Sequence, residues 1–174
     1  MNPEDFVFID EAGSNTNVEN EYARAKGQER IKMARPGCRW DHISIIGAIS
    51  ILGIVAITYG KWATNTLIFF SFVKDFLIKN LRHGQIVFMD NVPFHKSEKV
   101  RELIESVGAK LVFLPPYSPD LSPIEKMWSK LKHFIKKFRP RSVGEFHNAL
   151  LNAINELKEE DFEEWYECCG YQLV

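Results

Sequence analysis

Cysteine is scarce, and its placement excludes more than its number does. Cys38 stands alone and Cys168 and Cys169 are neighbours, which suits neither an even-numbered disulfide framework nor the paired spacing of a zinc site. A reducing cytoplasm is the expected compartment, with nucleoid association if the source is bacterial. Long apolar runs are also missing. Ile43 to Ile57 is strongly apolar, but it is shorter than the roughly 20 residues that span a bilayer, and Ser44, Gly47, Ser50 and Gly53 interrupt it. Two buried strands explain it better, and no membrane partner is expected. The opening MNPEDFVFIDEAG lacks the positive flank and apolar stretch of a signal peptide. Net charge is nearly absent: 22 basic against 23 acidic residues leave −1. A global electrostatic grip on nucleic acid is therefore not visible in the total. There is no internal repeat and no low-complexity linker.

What is present is a 174-residue chain with 45% hydrophobic residues, enough for one domain with a substantial core and short for two. Its charge is bipolar. Lys126, Lys130, Lys132, Lys136, Lys137, Arg139 and Arg141 form a run without an acid, whereas Glu156 to Glu167 holds seven acids and one lysine. The apolar pattern changes period along the chain. Phe6 to Ile9 reads as a short buried strand ending at Asp10, followed by a polar excursion from Glu11 to Gly27. A small strand is expected at Ile31 to Met33, before a turn at Arg35, Pro36 and Gly37. His42 to Ile49 and Ile54 to Thr58 read as a hairpin around Gly53. The first half is thus an antiparallel meander.

After Gly60, Leu67, Phe70, Val73, Phe76, Leu77 and Leu81 recur at helical spacing, with Thr64 or Asn65 as the cap. Gln85 to Met89 is a strand ending at Asp90. Ser97 opens an amphipathic helix carrying Val100, Leu103, Ile104 and Val107 and stopped by Gly108, and Lys110 to Leu114 is the next strand. Strand, helix, strand is the crossover of a parallel pair. Pro115, Pro116 and Pro119 then suppress regular structure until Pro123, which suits the first turn of a helix behind Ser122. Ile124, Trp128, Leu131 and Ile135 mark its buried stripe, and two closing helices are expected over Ser142 to Leu157 and Asp161 to Cys169.

The chemistry is in the acids. Asp10 and Asp90 each follow an apolar strand, and ligands of α/β sheets bind at the carboxyl ends of strands. Alone, either reads first as an ordinary loop or capping residue. If the strands are parallel neighbours, however, the two carboxylates crowd each other and call for protons or cations. Magnesium suits such oxygen donors. With Glu125, they would hold a metal pair roughly 3.5–4 Å apart, the arrangement that assists phosphodiester displacement. Glu125 lies in a first helical turn, where the helix dipole also favours an acid. The dipole does not account for the four prolines before it, Pro115, Pro116, Pro119 and Pro123, which restrict the route from strand to helix and would fix a ligand delivered by a loop.

The segments FIDEAG, FMDN followed by His95 and Ser97, and LPPYSPDLSPIEKMWSKLK closely resemble the catalytic domain of DDE transposases of the mariner-like superfamily and its bacterial insertion-sequence relatives. Asp10, Asp90 and Glu125 fall on that family's three catalytic acids, and residues 91 to 124 leave the thirty-four-residue spacing typical of the group. YARAKGQ, Tyr22 to Gln28, resembles the segment that follows the first acid. The resemblance weakens beyond about Arg141. It implies a ribonuclease-H-like fold, two magnesium or manganese ions, and cleavage and joining of double-stranded DNA at transposon ends and target. Relatives carry helix-turn-helix modules ahead of the first acid, which here stands at position 10. The expectation is a single catalytic domain over 1–174 without that recognition region, with a separately encoded N-terminal part as a partner. A homodimer is compatible with the need to bring two DNA ends together.

Other residues carry weaker signals. Lys126 and Lys130 are candidate phosphate contacts, with a solvated helix face as the alternative, and His95 either contacts a DNA phosphate, tunes the site, or enters a helix for structural reasons. Asn91 either orients a metal-bound water or forms a turn. Asp120, the rival of Glu125, is expected in a turn role, Trp128 in packing, and Glu11 pointing away from Asp10. Alternatives to a transposase are another ribonuclease-H-like nuclease, such as one cutting RNA in hybrids, and a non-catalytic descendant that binds DNA or assists assembly. A receiver-type phosphoacceptor is disfavoured by the initial meander.

Overall fold

The computed structural model describes residues 2–16, 41–116 and 118–172; the strand and turn expected at 31–37, the segment Tyr22 to Gln28 and Cys38 lie outside them. Among the described residues, five strands form one mixed sheet: β1 (Phe6–Asn15), β2 (His42–Ser50), β3 (Gly53–Gly60), β4 (Ile86–Met89) and β5 (Lys110–Phe113). Their spatial order is β3-β2-β1-β4-β5. β1, β2 and β3 are antiparallel neighbours, while β4 lies parallel to β1 and β5 parallel to β4. The expected meander followed by parallel strands is what the chain forms. The hairpin turn at Ile51 and Leu52 leads into Gly53, whose φ of 132° only glycine adopts without strain.

Alternation along β1 sends Phe6, Phe8 and Ala12 into one apolar cluster and Val7 and Ile9 into another, so both faces of the sheet are covered. On the first face lie α3 (Pro123–Phe138), α4 (Val143–Asn155) and α5 (Glu159–Cys168); on the second lie α1 (Thr66–Phe72) and α2 (Glu98–Ser106). The stripe Ile124, Trp128, Leu131 and Ile135 is buried throughout, as expected. Tyr166 ties α5 to the sheet, its hydroxyl lying 3.0 Å from Phe6 O and 3.2 Å from Ile49 O. Among the described residues no helix is long and apolar enough to cross a membrane.

Two expectations need correction. β1 does not end at Asp10. It continues to Asn15 because β2 still pairs with it, from Asp10 opposite Gly47 to Asn15 opposite His42, after β4 has stopped at Met89. The helical stripe after Gly60 is also displaced: Phe69, Phe72, Val73 and Leu77 are buried, while Leu67 and Phe76 are 77% and 46% exposed. Beyond Phe72 the backbone widens into a π-helical turn, Val73–Leu77, with Ile78 N bonded to Val73 O at 3.0 Å. A five-residue hydrogen-bond step shifts which side chains meet the sheet, and a uniform 3.6-residue period misses it.

Candidate active site

The parallel ladder closes with Met89 opposite Ile9 and Phe113, and Leu114 N still reaches Met89 O at 2.9 Å. Beyond that edge, three segments enclose one cavity of about 400 Å³. β1 supplies Asp10, the segment after β4 supplies Asp90 and Asn91, and the proline loop and α3 supply Pro115, Pro116, Pro119, Ser122 and Glu125. Asp120, in the 3-10 turn Pro119–Leu121, is exposed and is not among the lining residues. The three acids thus share a cavity although the first and second stand eighty positions apart in the chain. Among the described residues, no three His, Cys, Asp or Glu side chains are drawn together into a ready-made metal cage.

Asp10 faces α3, where Trp128 Nε1 donates to its Oδ2 at 3.0 Å. Trp128 therefore packs the helix as expected and also orients an acid. It comes this close because its neighbour on β2 is glycine: a Cβ on Gly47 would stand 2.7 Å from Trp128 Cη2. Burial pushes the Asp10 carboxyl up to about 7, and the charges of Glu125 and Glu11 push the same way. Three carboxylates lining one cavity, one of them with a raised proton affinity, are hard oxygen donors, a set whose chemistry suits magnesium or manganese.

Glu11 does face away from Asp10, yet it is not remote from the site. Its Oε1 lies 2.8 Å from His95 Nε2, and His95 Nδ1 lies 2.5 Å from Asp90 Oδ1. That second contact is an ion pair without hydrogen-bond direction; Asp90 Oδ1 is enclosed and lacks a directed partner, while the ring nitrogen is 3.3 Å from the Asp90 carbonyl oxygen. The His95 ring is 0% exposed and packs at 4.3 Å from the Phe69 ring. Burial alone would lower its pKa, but the two carboxylates beside the ring, those of Asp90 and Glu11, outweigh burial and raise it to about 9. No spacing rule flags Glu11, because its link to Asp90 exists only once β1 and β4 lie side by side.

The DNA-contact expectations change accordingly. His95 is enclosed between two carboxylates and presents no face to a phosphate. Lys130 Nζ donates to both Asp161 oxygens at 2.5 Å, so its charge is neutralised within the molecule. Lys126 remains exposed on α3, one residue from Glu125, beside a cleft it shares with Ser129 and His133.

The fold is ribonuclease-H-like, a five-stranded mixed sheet with helices on both faces, and it matches transposase catalytic domains. Mos1 transposase, in its paired-end complex with the left transposon end, superposes with a TM-score of 0.77 at 19% identity over 97% of this chain and 55% of that one. The Mos1 transposase catalytic domain solved with Raltegravir and Mg gives 0.68 at 15% identity over 96% of this chain and 83% of that one. In sequence, the chain is 31% identical over 86 residues to the transposable element Tc1 transposase of Caenorhabditis elegans, covering 49% of this chain and 32% of that protein. It thus spans about a third of the curated relative. The DDE superfamily endonuclease profile matches residues 5–146, and the chain belongs to that family.

Proposed function

We propose that residues 1–174 form the catalytic unit of a DNA transposase, which hydrolyses phosphodiesters at transposon ends and transfers the freed 3′ strand into target DNA. The observation that carries this reading is that Asp10, Asp90 and Glu125, from three separate segments, line one cavity in a member of the DDE endonuclease family. These three side chains would hold two magnesium or manganese ions, which supply activation of the attacking water and stabilisation of the departing 3′ oxygen.

The chain's own residues do the positioning. Trp128 holds Asp10 through its indole N–H, and the proline loop delivers Ser122 and Glu125 to the cavity wall along a restricted path. Lys126, beside Glu125 on the exposed face of α3, is suited to a phosphate of the incoming strand. The test is cleavage of a transposon-end duplex with magnesium, supplying a separate DNA-recognition part where needed. Asp10→Asn, Asp90→Asn and Glu125→Gln should each abolish nicking. Full activity in any of them defeats its assignment; preferential cutting of RNA in a hybrid points to another nuclease of this fold, and metal binding without cleavage to a non-catalytic descendant.

A further inference from the structure

We propose that Glu11 is a positioning residue for the site: through His95 it fixes the orientation of Asp90, although its own carboxylate lies on the opposite side of β1 from Asp10. This rests on the reading of Asp90 as a metal ligand. Three observations carry it. Asp90 stands just past the end of β4, with a side chain 47% exposed, so its own strand leaves the carboxylate free to rotate. One of its oxygens is nevertheless buried against His95 Nδ1. The imidazole in turn cannot swing, because Phe69 packs on the ring and Glu11, only 15% exposed within a paired strand, holds the far nitrogen at 2.8 Å.

The order of anchoring sets the direction of control. Glu11 is held by the backbone of β1, the ring is held by Glu11 and Phe69, and Asp90 is held by the ring. One oxygen of Asp90 is thus pinned to the interior while the carboxylate as a whole lines the cavity. A ligand carboxylate restrained by a partner behind it loses less freedom on binding a cation, and removing such partners weakens metal affinity. The same link joins β1 to the segment after β4, and so couples the geometry of two of the three acids.

The experiment is Mn2+ binding to the purified chain, read from the free-ion spin-resonance signal and paired with thermal melting. Glu11→Met fills the volume but accepts no hydrogen bond, and it should weaken Mn2+ binding by about tenfold or more. Glu11→Gln keeps an acceptor for Nε2 and should stay within about threefold of wild type, a rescue that a merely structural role would not produce. If Glu11→Met does not fold, Glu11→Asp, which keeps the charge but shortens the reach, carries the same test. A folded Glu11→Met or Glu11→Asp protein that binds Mn2+ as tightly as wild type overturns the inference alone. A wild-type chain that takes up no Mn2+ overturns the reading on which it rests as well.

Discussion

Asp10 is held in a state that favours a proton over a charge, and this sets function against stability. With a folded pKa of about 7 against 3.8 for the free side chain, its contribution to stability is complete below about pH 4 and is lost as pH rises through 7. Asp10→Asn keeps an acceptor for Trp128 and removes the charge. At pH 8 without metal, the variant should therefore resist urea better than wild type while being inactive; equal midpoints at pH 8 would contradict the account. His95 runs in the same direction from a different cause. Its pKa, raised to about 9 by its two carboxylate partners, gives stability that is full below about 6.5 and lost as pH climbs through 9. Gly47 is the third residue-scale test. Gly47→Ala pushes a methyl into Trp128, and it should destabilise by about 1–3 kcal/mol, the usual range for overpacking, and reduce nicking by displacing the indole from Asp10. A denaturant titration and a cleavage assay on one preparation check both effects.

At the scale of elements, local chemistry was legible and its execution less so. Asn65, expected as a cap, does accept from Leu67 N and Ile68 N at 3.0 and 3.1 Å. Ser97 and Ser122 occupy cap positions by sequence, but neither side chain makes the capping bond. Asn65→Ala should then cost about 1 kcal/mol in unfolding free energy, whereas Ser122→Ala should cost only a few tenths; equal losses in urea melts would contradict the distinction. Strand positions were readable because apolar runs between turn residues leave few other structures open, and α3 was readable because its stripe keeps one period for sixteen residues. The exposed face of α1 was not. A widened turn changes the angular step in mid-helix, and no residue from Val73 to Leu77 is a glycine or proline that would announce it.

For the molecule as a whole, what sequence spacing misses is what sheet pairing creates. Asp10, Asp90 and Glu125 could be picked out separately, since each stands at the edge of a recognisable sequence segment; their shared cavity follows from β1 and β4 lying in parallel register and from the proline loop after β5 that leads to Glu125. Glu11 could not, because its importance depends on a histidine eighty-four positions away. Charge is redistributed in the same way. Lys130 belongs to the basic run in sequence but is neutralised by Asp161, so DNA should sense Lys126 and not Lys130. Binding should weaken steeply with salt, and Lys126→Ala should reduce the slope of log K against log salt by about one. Lys130→Ala should leave that slope unchanged; fluorescence anisotropy over a range of salt concentrations reads both.

The hairpin turn at Leu52 lies at the opposite end of the sheet from the acids, because β2 runs antiparallel to β1 and carries its last residues back beside Phe8. Leu52 is 61% exposed, and a Cβ on the following Gly53 would meet nothing within 4 Å. Leu52 itself, at the exposed tip of this corner, accepts a chemical label without disturbing packing. With Cys38 and the exposed Cys168 first replaced, a dye carried on cysteine at position 52 would follow the proposed DNA binding from the far side of the protein, away from the three acids.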